Sequence, residues 1–504
     1  MTFAKIRRVL YIATVNLLVT VAILSLIELI CRYLEHVKSD SHTPAQSQNL
    51  PPKSPGELRV FAFGGSTVFG EPAPEVGFVA QMQHWLQVLY PDRNIRIYNF
   101  GWPAMDTAYV VQQLTRRIEA QPDLVIVISG HNEFFDPRDQ VREVLTSNLA
   151  TMRQLQALFR KMQEPKRRDV LPCQVVAWDR EAPYFKRRIA NYAQGIRLIV
   201  ELTRQRNVKL ILGTLPSNLA DWPPVYKKLA GRDRRYADTV SQIQKLYRDG
   251  QYQDATAAVA TAFGLYPDDA MLYFLRGKLQ AATGNYAEAQ GSFMKARDLD
   301  PFPYRATSQI NSIIRNAASG VDGVYLIDLE RIYNERAKNG LVGFDFMGDN
   351  CHGTPLGESV EADALLQRMT EIGFLPPRPG GDACCPLQDF LAGTGYLEPK
   401  SPLRQRILMS NATYVMKTPF LNYEASRMYL MEAMKEYESS WEVWANLATL
   451  SYFENDKAAG AQQLARATEL HQAPLDIEDR HATPYLKEAL EYADGRANNC
   501  DTPH

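Results

Sequence analysis

Hydrophobic and polar positions follow two different rhythms along this chain. Short apolar runs at 58–63, 95–98, 124–128, 208–212 and 324–328 read as strands, and stretches with apolar residues every three or four positions at 79–90, 108–119 and 185–205 read as helices. The run Leu124-Val125-Ile126-Val127-Ile128 has no polar break, the mark of a strand buried on both faces. Alternation of this kind predicts an α/β fold, a parallel five-stranded sheet with helices on both sides in a three-layer α/β/α arrangement.

A different pattern stands at the start. Residues 9–30 are almost wholly apolar, with Glu28 their only charge. At about 1.5 Å per residue such a helix spans roughly 30 Å, the thickness of a bilayer core. Lys5, Arg7 and Arg8 precede it, and Glu35 and Asp40 dilute the positive charge that follows. The expectation is a single-pass transmembrane helix with its N-terminus in the cytoplasm and the rest of the chain extracytoplasmic. The organisation looks bacterial, which makes that side the periplasm. A cleaved signal peptide is the alternative; the run is longer than a usual signal core, and no small-x-small site follows it.

Two segments break the strand–helix alternation. Leu149, Met152, Leu155, Leu158, Phe159 and Met162 recur at helical spacing among arginines and lysines, which suits a helix packed on the domain, or a lid or membrane-surface helix near the active site. The second is a repeat. Gly250-Gln251-Tyr252 returns as Gly284-Asn285-Tyr286 after 34 residues, with Ala255 and Ala289, Ala262 and Ala296, and Pro267 and Pro301 at the same offset. Small residues suit the close approach of two helices, and the proline stops the second. A weaker echo pairs Leu430 with Leu464 and Ala433 with Ala467. Period and residue types resemble the tetratricopeptide repeat.

Lys and Arg total 56 against 57 Asp and Glu, so no bulk field favours a nucleic-acid partner. Of the six cysteines, Cys31 directly follows the apolar segment and the other five would face the oxidising side. The vicinal pair Cys384-Cys385 has Cys173 and Cys500 as candidate partners, and the spacing does not choose between them. No Cys/His spacing suggests zinc, so neither metal nor cofactor is expected. Asn411-Ala412-Thr413 fits a glycosylation sequon.

Four short blocks carry the chemistry. Phe63-Gly64-Gly65-Ser66-Thr67 follows the first strand, Asn99-Phe100-Gly101 the second and Gly130-His131-Asn132-Glu133 the third, while Asp349-Asn350-Cys351-His352 precedes a helix begun by Pro355. A serine at the C-terminal edge of a parallel sheet points into the usual ligand crevice. Backbone N–H groups at Ser66 and Gly101 and the Asn132 amide are candidate donors to a developing oxyanion, worth about 3–4 kcal/mol each in such chemistry. His352 is the candidate base and Asp349, three residues earlier, the carboxylate that orients it. His131 is the competing base. Ser217, Asn218 and Trp222, after the fourth strand, are candidates to line the same crevice, with Trp222 either stacking on a sugar ring or packing against the repeat insertion.

These blocks, in this order, resemble the SGNH (GDSL-type) hydrolases, over roughly residues 57–135, 185–216 and 305–373. The resemblance implies a flavodoxin-like fold, Ser66, Asp349 and His352 as a catalytic triad, and Ser66, Gly101 and Asn132 as the oxyanion hole. Position 131 is variable in that family. Gly65 stands where the family often has Asp and Glu133 where Asp is usual, which suggests a divergent branch. The expected organisation is a stub and anchor over 1–38, a linker over 39–56, hydrolase parts over 57–236 and 304–376, repeats inserted at 237–303, a linker over 377–404 and a helical repeat-like region over 405–504.

The expected function is therefore a membrane-anchored extracytoplasmic serine esterase or O-acyltransferase on acyl esters, acetyl groups of an envelope or secreted polysaccharide foremost. The alternatives are a repeat-based scaffold for polysaccharide or export assembly, with a protein partner on the repeats and an idle hydrolase domain, and a phospholipase or thioesterase.

Overall fold

The apolar runs become strands β1 (Leu58–Gly64), β2 (Ile95–Asn99), β3 (Leu124–Ile128), β4 (Lys209–Gly213) and β5 (Val324–Ile327). All pair in parallel, in the order β2-β1-β3-β4-β5. Central β3 is buried along its whole length, as an unbroken apolar run requires, whereas edge strand β2 exposes Arg96. The winding direction reverses between β1 and β3, and crevices open beyond the carboxyl ends of strands at such a point. The computed structural model describes residues 25–26, 50–134, 180–225, 234–379, 385–416, 420–472, 475 and 485–494.

The first helices are α1 (Ser66–Phe69), α2 (Phe78–Leu89), α3 (Thr107–Arg117) and α4 (Pro183–Gln205). The insertion follows as α5 (Arg234–Arg248), α6 (Tyr252–Phe263), α7 (Ala270–Ala282) and α8 (Tyr286–Leu299). Its core gathers Val240, Ile243, Val259, Leu272 and Phe293 around buried Ala255, Ala262, Ala289 and Ala296. The repeated Gly-x-Tyr is a turn: Gly250 and Gly284 take left-handed φ of 72° and 84°, the next residue caps the helix, and Tyr252 or Tyr286 begins it. At Gly277 a Cβ would stand 2.7 Å from the Phe293 ring, so the facing helices meet only over a glycine. Buried Arg297 ties α8 onward, donating to Glu330 at 2.7 Å and Ser308 at 2.8 Å.

After the insertion come α9 (Ser308–Ala318), β5, α10 (Leu329–Arg336) and α11 (Pro355–Glu371). Helices α2 and α11 pack together against β2 and β5, while α3, α4 and α9 pack in series over β1, β4 and β5. The stretch read as a second linker carries a helix, α12 (Leu387–Thr394), whose Phe390 is buried against His84 of α2 at 5.4 Å. Then follow α13 (Pro402–Met416), α14 (Tyr423–Tyr437), α15 (Trp441–Phe453), α16 (Lys457–His471) and α17 (Leu486–Ala493).

The turn of the insertion reappears here. Leu421 and Asn455 have φ of 49° and 63°, Asn422 and Asp456 cap, and Tyr423 and Lys457 start helices, again 34 residues apart. Ser426, Gly460, Ala433 and Ala467 fill the buried small positions. The echo was faint in sequence because Leu421 and Asn455 stand where the first array has glycine. Asn411 of the glycosylation sequon is buried, so the folded chain does not present it.

The described residues from 53 to 134 and from 180 onward form one compact unit; of the other unit only residues 25–26 and 50–52 are described. The apolar segment 9–30, the helix expected over 149–162, and Cys31, Cys173, Cys384 and Cys500 lie outside the described residues, residues 25–26 excepted. Among the described residues no helix is long and apolar enough to cross a membrane.

Two glycines of the insertion separate the roles of backbone and side chain. Gly284 has a positive φ and open space around it, so Gly284→Ala should lower stability by about 1 kcal/mol through backbone strain alone. Exposed Gly291 lies inside α8 with equally open space, so Gly291→Ala should raise it by roughly 0.5–1 kcal/mol. Urea denaturation of the two variants reads both signs.

Candidate active site

Strand β1 ends in Gly64 and Gly65, and the chain turns at once into α1 with Ser66 as its first residue. Both glycines answer close approaches. A Cβ at Gly64 would meet the Ile128 carbonyl at 2.2 Å, and one at Gly65 would meet Asn132 Nδ2 at 2.6 Å. Gly65 therefore lets the Asn132 amide lie directly beside the serine, where a larger residue would push it away. Ser66 is half-buried, and its N–H has no hydrogen-bond partner among the described residues, as expected of a first helical residue.

Residues 349–352 arrive from 286 positions away in sequence. His352 Nε2 lies 2.7 Å from Ser66 Oγ, and His352 Nδ1 lies 2.6 Å from Asp349 Oδ2. Asp349 Oδ1 accepts the backbone N–H groups of Cys351 at 2.8 Å and His352 at 2.9 Å. The carboxylate thus requires a hydrogen on Nδ1 and leaves Nε2 to accept the serine proton. Both Asp349 and His352 are buried. Burial alone would raise the Asp349 pKa, but the His352 charge and these donors outweigh it and hold it below the usual carboxylate range. For His352 burial works downward and is outweighed by Asp349, so its pKa rises above the ordinary histidine value.

Asn132 donates one amide hydrogen to the Met105 carbonyl at 3.0 Å, and the amide retains a second. Next to it Glu133 accepts from the Thr107 N–H at 2.9 Å and hydroxyl at 2.6 Å, anchoring the start of α3 just beyond Met105. The glutamate that departs from the family pattern therefore braces the loop that holds Asn132. Burial, then the Asp106 charge, pushes its pKa up.

Gly101 plays a different part from the one its sequence suggested. Its N–H donates to Asn99 Oδ1 at 2.8 Å rather than standing open to a ligand, so the structure corrects the expectation of Gly101 as the second oxyanion donor. A Cβ there would lie 2.3 Å from the Phe69 backbone nitrogen; its glycine makes room for α1. Asn99 completes the link by donating Nδ2 to the Val68 carbonyl at 2.7 Å.

The residues after β4 are likewise corrected. Ser217 and Asn218 are buried, not lining an open crevice. The Asn218 N–H donates to the Asn350 carbonyl at 3.0 Å and its own carbonyl accepts from Arg305 at 2.8 Å, so it braces the Asp349–His352 loop. Trp222 is buried with Ala412, Val415, Leu430 and Phe420, whose ring is 5.2 Å away; it packs on α13 and α14 rather than on the insertion or a sugar. His131 is buried, with Nδ1 accepting the Ala306 N–H at 3.0 Å, and burial followed by the His352 charge holds its pKa down to about 3. With Nδ1 taken by the Ala306 N–H, and with His352 Nε2 the imidazole nitrogen bonded to Ser66 Oγ, His131 is not placed as the base for Ser66.

Asp349, Cys351 and His352 offer donor atoms within 4.8 Å of one another. Nδ1 and the carboxylate are already bonded to each other, and burial keeps the Cys351 thiol protonated, so the set is a poor metal cage. Behind Thr67 a cavity of about 10 Å³, room for about one water, is edged by His131, Cys351, Glu358 and Glu361. Glu358 Oε2 accepts the Phe78 N–H at 2.6 Å, pinning α11 to α2; burial drives both glutamates toward the protonated form.

No family model and no curated protein matches the chain. Solved structures similar to it include the lipase/acylhydrolase from Enterococcus faecalis, 11% identical over 64% of this chain and 99% of that one with a TM-score of 0.31. They also include Axe2, an acetylxylan esterase from Geobacillus stearothermophilus, 13% identical over 62% and 94% with a TM-score of 0.28. LAE5, an alpha/beta hydrolase enzyme from the metagenome of Lake Arreo, Spain, gives 13%, 62%, 94% and 0.28. Likeness this distant carries no argument for this chain, whose reading rests on its own residues.

The two buried histidines should titrate in opposite senses. In a histidine-resolved NMR titration the His352 imidazole takes its proton above the ordinary value, and Asp349→Asn moves that midpoint to lower pH, because the charge favouring the imidazolium is gone. His131 stays neutral down to about pH 4.

Proposed function

We propose that this chain is a serine esterase or acyl-transferring enzyme that acts through Ser66, His352 and Asp349. One observation carries the reading: a continuous hydrogen-bonded chain of 2.7 Å and 2.6 Å joins a half-exposed hydroxyl to an imidazole and a buried carboxylate. That arrangement is what a hydroxyl needs to become a nucleophile near neutral pH.

In this reading Ser66 Oγ attacks an ester carbonyl while His352 Nε2 accepts its proton. The Asp349 charge stabilises the imidazolium that forms. The oxyanion of the tetrahedral intermediate is met by the Ser66 N–H and the free hydrogen of the Asn132 amide. Collapse returns the proton from His352 to the departing alcohol and leaves an acyl-serine. Water, or a hydroxyl of a second substrate, then takes the acyl group with the same base. No cofactor enters these steps.

The proposed substrates are acyl esters, acetyl groups on a carbohydrate first among them; this follows from the motif resemblance. An anchor at 9–30 would hold the enzyme on the extracytoplasmic side of a membrane, which favours an envelope or secreted polysaccharide.

The test is turnover of p-nitrophenyl acetate by the full-length chain. Ser66→Ala should abolish it, and Asn132→Ala should lower kcat by about 100- to 1,000-fold. Because His352 must be neutral to accept the proton, activity falls as pH drops through its raised pKa, so the acid limb lies above the ordinary histidine value. Equal turnover by wild type and Ser66→Ala would favour the scaffold reading. A preference for long acyl chains would favour a phospholipase or thioesterase.

A further inference from the structure

The loop that carries Asp349 and His352 is gripped from outside the sheet domain. Gly348 donates its N–H to the His352 carbonyl at 2.8 Å, which closes the loop on itself. The Gly348 carbonyl accepts the Tyr429 hydroxyl at 2.6 Å. A Cβ at Gly348 would lie 2.7 Å from Asn411 Nδ2, so the Asn411 side chain rests on the bare Cα. Tyr414, one turn along α13 from Asn411, sets its ring edge-on to the His352 imidazole, with centroids 5.6 Å apart at 88°. Phe344, at the approach to the loop, meets the Tyr429 ring at 6.0 Å.

We propose that α13 and α14 are a working part of the active site, in which Tyr429 and Asn411 fix Gly348 and so set the position of His352 against Ser66. The proposal rests on the serine-esterase reading. Its physical basis is economy of restraint. The loop closes on itself through backbone bonds from Gly348 to His352 and from Thr354 to Phe346 and through the N–H groups that Asp349 accepts, and its outside anchors are Asn218, the Tyr304 carbonyl that takes the Asn350 amide, and these two helices. Tyr429 and Asn411 are both buried, and so is Gly348, so a carbonyl that loses the Tyr429 donor is costly to leave unpaired. A shift of about 1 Å at His352 breaks its bond to Ser66, and misplacements of that size cost on the order of 100-fold in rate. Neither residue touches the reacting atoms, so both are positioning residues. The C-terminal helices are then required for turnover, not only for recruitment of a partner.

Tyr429→Phe keeps the ring and removes only the donor. In the full-length chain, kcat on p-nitrophenyl acetate should fall roughly 10- to 100-fold with KM unchanged. The low-field proton resonance of His352 Nδ1–H should shift or broaden at the same time. Leu447→Ala, on α15 in the same helical core, controls for general loosening: it should lower the melting temperature and leave kcat and the resonance in place. A wild-type kcat and resonance in Tyr429→Phe would overturn the proposal, and so would an equal kcat loss in Leu447→Ala. Should wild type turn over no faster than Ser66→Ala, the esterase reading fails, and the resonance alone decides: unchanged in Tyr429→Phe, it overturns the positioning role.

Discussion

Everything in the site depends on how a negative charge survives inside the protein at Asp349. A buried carboxylate without partners would neutralise itself by taking up a proton. Here it accepts two backbone N–H groups, from Cys351 and His352, and the ring N–H of His352. Those three bonds do two things together. They keep the group ionised, and they turn the following residues into a rigid bracket that holds the imidazole with Nε2 facing Ser66. A bracket of four residues is local, but its target is not. The serine stands at the end of β1, and only the parallel sheet and its crossovers bring the two within 2.7 Å.

The rest of the architecture reads as support for that meeting. Asn218, in the segment after β4, holds the Asn350 carbonyl, and buried Arg305 in turn holds the Asn218 and Trp222 carbonyls. Arg297 and Glu330 join the inserted helices to the sheet domain across a buried ion pair. Helices α13 and α14 close the remaining side through Tyr429 and Asn411. Breaking such buried pairs is costlier than their net worth, because the partner left behind stays uncompensated. The helical arrays are thus tied into the same unit as the site by specific polar contacts as well as by apolar packing.

Much of this was legible in the sequence, for identifiable reasons. The five strands were visible because a parallel sheet buries its strands on both faces and so writes unbroken apolar runs. The meeting of Ser66, Asp349 and His352, with Asn132 beside them, was foreshadowed because each sits at a strand end or loop marked by glycines or short spacing. Gly101 was visible as a necessary glycine but misread in purpose, since a sequence does not show that Asn99 takes its N–H. Trp222 and Asn218 were misplaced because their partners, α13, α14 and Arg305, lie far along the chain. Tyr414 and Tyr429 left no local signal at all; they are ordinary aromatics on helices, and only the packing of α13 and α14 brings them to His352 and Gly348. The second helical array was faint because its turns use Leu421 and Asn455 in a conformation that elsewhere calls for glycine.

The central claim is that Ser66 becomes covalently acylated. Acid-quenched full-length chain, mixed with an activated acetyl ester and digested, should yield an acetylated peptide containing Ser66, and His352→Ala should abolish that mass increase while leaving the melting transition in place. Acetyl label spread over other residues, or label at Ser66 that persists undiminished in His352→Ala, would contradict the account.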